Sequence, residues 1–166
     1  PTAPTIADAT GECSVTVTAP TATDNCAGSV TGTTTDPTTY NAQGSYTITW
    51  TFDDGNGNTS TATQNVIVDD VTAPTAPTIA DATGECSVTV TAPSATDNCA
   101  GSVTGTTTDP TTYNAQGSYT ITWTFDDGNG NTSTATQNVI VDDVTAPAAP
   151  TIADATGECS VTVTAP

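Results

Sequence analysis

GSYTITWTFDDGNGNTSTATQNVIV, residues 44–68, decides the fold. Tyr46, Ile48, Trp50 and Phe52 alternate with Thr47, Thr49 and Thr51. A period of two puts the large apolar side chains on one face of a β-strand and the hydroxyls on the other. Asp53-Asp54-Gly55-Asn56-Gly57-Asn58 follows, rich in glycine and asparagine that tolerate positive φ, and reads as the turn of a hairpin. The return strand is expected from Thr59 to Val68. An aromatic stripe at so strict a period is the inward face of a sandwich rather than a ligand platform.

Working outward, Cys13, Val15, Val17 and Ala19 alternate with Ser14, Thr16 and Thr18, which predicts a second half-buried strand. Shorter strand candidates lie at 5–7, at 29–34 and around Tyr40, giving six or seven in all. No stretch carries apolar residues at a helical period, and 20 of the first 73 residues are the β-favouring Thr. The predicted class is all-β, with turn signals at the spacing of an Ig-like β-sandwich.

The whole pattern recurs. PTAPTIADATGECSVTVTAP begins at Pro1 and again at Pro74, and from Pro147 it returns with Ala148 in place of Thr2. The period is 73 residues, with Thr21 becoming Ser94 as the other difference between copies. Residues 1–73 and 74–146 are therefore two full repeats, and 147–166 opens a third. A unit of this length is domain-sized, so the expected architecture is tandem Ig-like sandwiches strung as beads, with 69–74 as a linker stiffened by Pro74 and Pro77. The sequence reads as a stretch of a longer array; no signal peptide or membrane span is visible in it.

Charge excludes more than any motif proposes. The chain has no Lys, Arg or His against 18 Asp and Glu, a net charge of -18. It cannot neutralise phosphates, so nucleic acid is excluded as a partner, and membrane insertion or docking to anionic lipid is not expected. The commonest general bases are missing, and adjacent carboxylates such as Asp53 and Asp54 have no acid–base partner, so no enzyme is expected.

Five cysteines without histidine favour disulfides in an oxidising compartment over zinc. Each full repeat holds two, Cys13 and Cys26 or Cys86 and Cys99. Twelve residues separate Cys13 from Cys26 around a midpoint at Ala19-Pro20, and a reversal there would set them opposite each other. That bridge would be worth roughly 3 kcal/mol. The rival pairing joins Cys13 to Cys99 of the next repeat, if Cys13 lies at the bottom of one sandwich and Cys99 at the top of the next.

GEC-SVTVTAP-TATDNC at 11–26, followed by the hairpin at 44–70, resembles the hyalin-repeat type of Ig-like module found in giant surface proteins of Bacteroidetes. The likeness covers essentially the whole repeat. Many such modules carry further cysteines in the later strands, where this chain has Thr and Trp, so no wider disulfide pattern carries over. The resemblance implies an adhesion or spacer role outside the cell and no catalysis.

In a sandwich of this kind the loop after the second strand and the last hairpin share a pole with the incoming linker. Asp69 and Asp70 would then approach Asp97, Asp126 and Asp127, with Asn129 and Asn131 offering carbonyl oxygens. Asp142 and Asp143 repeat the linker pair at the next boundary. Five carboxylates without a cationic side chain repel unless they spread, protonate or hold a cation, and calcium suits such oxygen ligands. Solvated turn and linker residues are the competing reading. The expected function is a spacer or stalk of an extracellular, cell-surface adhesin or filament. Direct binding of a glycan or surface, through Tyr40 or Tyr113, is one alternative. Assembly of identical chains by strand addition is another.

Overall fold

Residues 44–68 form the longest hairpin of the first repeat, and the computed structural model, which describes residues 1–165, is organised around it. The first repeat contributes β1 (Ala9–Gly11), β2 (Val15–Thr16), β3 (Thr21–Asp24), β4 (Gly28–Thr31), β5 (Thr39–Tyr40), β6 (Gly44–Asp53) and β7 (Thr59–Val68). The second contributes β8 (Ala82–Gly84), β9 (Val88–Thr89), β10 (Ser94–Asp97), β11 (Gly101–Thr104), β12 (Thr112–Tyr113), β13 (Gly117–Asp126) and β14 (Thr132–Val141). No helix occurs among the described residues, so the protein is all-β.

β6 and β7 pair antiparallel from Gly44↔Val68 to Asp53↔Thr59, and β1 adds to β7 in parallel. The β3–β4 hairpin and the short β2–β5 pair complete the set, with Thr33↔Thr51 bridging the β4 side to β6. The second repeat uses equivalent pairings, and among the described residues no ladder joins strands of different repeats. The turn between β6 and β7 closes because Gly55 and Gly57 take φ of 77° and 92°, a region closed to most side chains; the asparagines stay at negative φ.

Ile48, Trp50 and Phe52 are buried, with Val15, Val17, Ala22, Val30, Val66 and Val68 packed around them. Trp50 donates from Nε1 to Gln64 Oε1 at 3.1 Å, and Gln64 in turn donates to the carbonyl of Ala7. The indole is thus satisfied inside an apolar cluster. Val88 to Val141 form a second, separate core around Trp123 and Phe125.

Three local expectations change. The strand expected over 13–19 shrinks to β2, with Val15 and Val17 buried but Cys13 and Ala19 exposed. The candidate at 5–7 is not a strand; after an isolated bridge from Thr2 to Thr23, the first strand begins at Ala9, where β7 offers an edge. β3 arises within TATD, which sequence reading treats as part of a loop.

Residues 147–165 contain no strand, although they repeat the sequence that forms β1 and β2. Val161 and Val163, the counterparts of buried Val15 and Val17, are 45% and 72% exposed. The tail lacks a copy of the β6–β7 hairpin, so its apolar residues have nothing to pack against.

Candidate functional site: the seam between repeats

The boundary between the repeats is built from three segments. Asp70 lies just past the end of β7, Asp97 ends β10, and Asp127 follows β13. Carboxylate oxygens of these three all lie within 4.8 Å of one another.

Each carboxylate is set by local turn chemistry. Asp97 Oδ1 accepts the backbone N–H groups of Cys99 and Ala100 at 2.8 and 2.7 Å. Asp127 Oδ1 accepts those of Asn129 and Asn131, and its Oδ2 accepts from Asn131 Nδ2. Asp70 offers Oδ1 to Thr72 N, while its own N–H donates to Gln43 Oε1. These are Asx-type turns, for which aspartate is suited wherever the chain reverses. Asn129 Nδ2 donates to Asp70 Oδ2 at 3.1 Å and Asn131 Nδ2 to the Asp70 carbonyl at 2.8 Å, tying the last hairpin of the second repeat to the linker. Both asparagines therefore act as amide donors to the linker or hairpin carboxylates.

Asp70 is only 3% exposed and is the one buried charged residue among those described. Asp97 is partly exposed as a residue, but its carboxylate lies buried. Its Oδ2 is sealed from solvent and has no hydrogen-bond partner. At an effective dielectric near 20, two carboxylates at such a separation repel by about 3 kcal/mol per pair.

The other expected ligands lie outside this group. Asp69 continues the β1–β7 ladder by donating its N–H to the Gly11 carbonyl, and its side chain is exposed. Asp126 is exposed and accepts from Gly128 N. Asp142 and Asp143 sit at the far end of the second repeat, both exposed, in the same local bonding as Asp69 and Asp70.

The disulfide joins Cys13 to Cys99, 86 residues apart, across the same boundary. The bridge from Cys13 to Cys26 is not formed, and Cys26 and Cys86 are free and exposed. The midpoint reversal it required does not exist, because β2 pairs with β5 and β3 with β4, so the segments carrying Cys13 and Cys26 do not face each other. Glu12 joins the seam as well: it accepts from Thr72 Oγ1 at 3.0 and 2.9 Å and from Asn98 Nδ2. Sequence reading missed Glu12, although its position beside Cys13 becomes informative once the bridge is known. Glu12, Asp70 and the Cys99 sulfur are also close together, but that sulfur is in the disulfide and cannot act as a thiolate.

Tyr40 stacks on Tyr46 with ring centroids 4.4 Å apart, partly buried against the core, and Tyr113 stacks on Tyr119 in the same way. The open hollows beside Thr33, Thr34, Asp36 and Thr49, and their counterparts, have no aromatic lining.

Asp24, the counterpart of Asp97, takes N–H bonds from Cys26 and Ala27 and lies 3.0 Å from the Pro1 ammonium. The Ala27 and Cys26 amides, then that ammonium, hold its carboxyl down at about 2 against an ordinary 3.8. A depressed folded-state pKa contributes stability above the unfolded value and loses it as pH falls through the folded one. Thermal stability should therefore drop as pH falls from about 4 to about 2, and Asp24→Asn should flatten that fall. Parallel melting-temperature curves for the two proteins would rule this out.

No protein-family model matches the chain, and no curated protein matches it.

Proposed function

We propose that the chain is a length of extracellular stalk: Ig-like sandwiches of the hyalin-repeat type, joined in series, that hold a terminal binding element away from a cell surface. The observation that carries this reading is the Cys13–Cys99 bond, which spans the boundary between repeats instead of stapling one of them. A bridge inside a repeat stabilises that repeat alone. A bridge across the boundary restricts bending and transmits load past the linker. The acidic surface, without a single Lys or Arg, keeps the array soluble and resists trypsin-like cleavage.

Strand addition gains no support from the two full repeats. Each core is built from residues of its own repeat.

Arrays of increasing repeat number, viewed by electron microscopy under oxidising conditions, should lengthen in constant steps as near-straight rods. Peptide mapping of the same samples should join each GEC cysteine to the DNC cysteine of the following repeat, giving Cys86 a partner of the kind that Cys13 has. Coiled particles whose span grows as the square root of repeat number, or a Cys13–Cys26 peptide, would overturn the proposal.

A further inference from the structure

We infer that the seam is a binding site for one divalent cation of the calcium class, held by Asp70, Asp97 and Asp127. Crowded carboxylates alone would not establish this, since hydrogen-bonded Asx turns account for much of their geometry. The deciding feature is Asp97 Oδ2, which is buried and lacks any donor, on a buried carboxylate that is grouped with those of Asp70 and Asp127. Burying an ionised oxygen without a partner is costly, and no Lys, Arg or His exists anywhere in the chain to supply one. A hard cation with flexible coordination answers that demand through carboxylate oxygens.

The two halves of the site are set before they meet. Asp143, at the unpartnered end of the second repeat, has the same bonds to Gln116 and Thr145 that Asp70 has to Gln43 and Thr72. Asp54 is bonded by Asn56 and Asn58 as Asp127 is by Asn129 and Asn131. Joining one repeat to the next brings two preorganised half-sites together, so the ion would lock linker to hairpin only where a seam is complete. The site stands apart from the stalk reading and is tested separately from it.

Isothermal titration of the oxidised chain with calcium chloride should show saturable binding of one ion at the seam, with a Kd no weaker than on the order of 1 mM, the weak end of extracellular calcium modules. Asp97→Asn keeps Oδ1 for the Cys99 and Ala100 amides but removes the charge, and should weaken binding by about tenfold or more. Asp70→Asn serves as a second removal if the first variant folds poorly. Asp154→Asn, in the exposed tail, should leave affinity unchanged. Absence of saturable binding, or folded Asp97→Asn and Asp70→Asn proteins that bind as the parent does, would overturn the site.

Discussion

Trp50→Ala should unfold the first repeat and leave the second folded. Trp50 is 2% exposed, at the centre of a cluster of nine buried residues, and its Nε1 holds Gln64. Removing a buried indole costs about 3–5 kcal/mol in lost contacts and cavity. A core in a unit this small rarely supplies more than about 3–5 kcal/mol in total, so the loss equals the reserve. The second core shares no residue with the first. Trp123 then becomes the sole indole reporter: its emission should stay blue-shifted and melt near the parent temperature, while the β signal in circular dichroism falls by about half. Red-shifted Trp123 emission at 25 °C would show instead that the two repeats fold as one unit.

That hairpin is also where the sequence was most readable. Tyr46 to Phe52 report their burial directly because alternate residues of a strand face opposite sides, and β7 spans the expected 59–68. Gly55 and Gly57 marked the turn through backbone freedom that no other residue supplies as cheaply. By contrast, β1 forms only because β7 presents an edge to it, a partnership 57 residues away from Ala9 that leaves no local trace.

The seam was half legible for similar reasons. Carboxylates at Asp70, Asp97 and Asp127 were expected together from where a sandwich would send its loops, and these three do lie close. Their neighbours Asp69 and Asp126 were expected with them and do not join. Consecutive residues in extended backbone point to opposite sides, so one member of each Asp-Asp pair reaches the seam and the other meets solvent. The asparagines donate their amides to the carboxylate and carbonyl oxygens of Asp70, a contact that depends on how the two repeats meet and has no local sequence signature. Cysteine pairing was the least legible, since it depends on β2 choosing β5 over β3, a choice between strands with similar Thr-rich composition.

Breaking the Cys13–Cys99 bond should free the seam to bend and lower resistance to full unfolding. Its 86-residue separation corresponds to about 4–5 kcal/mol of chain entropy removed from the fully unfolded ensemble. Unfolding of a single repeat releases only part of that constraint, because the other cysteine stays in folded structure. In the native chain, reduction leaves the boundary held by side-chain hydrogen bonds such as Asn129 to Asp70 and Thr72 to Glu12, each worth about 0.5–1.5 kcal/mol net. Val71, in the linker, is 65% exposed and supplies no apolar anchor. Small-angle scattering in a chelating buffer should therefore show a single extended shape for the oxidised chain and a broader set of bent shapes for Cys13→Ser, with reductant adding nothing further to the variant. The chelator matters, because a cation among Asp70, Asp97 and Asp127 would hold the same segments together in the bond's absence. If the two profiles coincide without calcium, the hydrogen bonds between linker and hairpin fix the seam, and the disulfide acts on the unfolded chain alone.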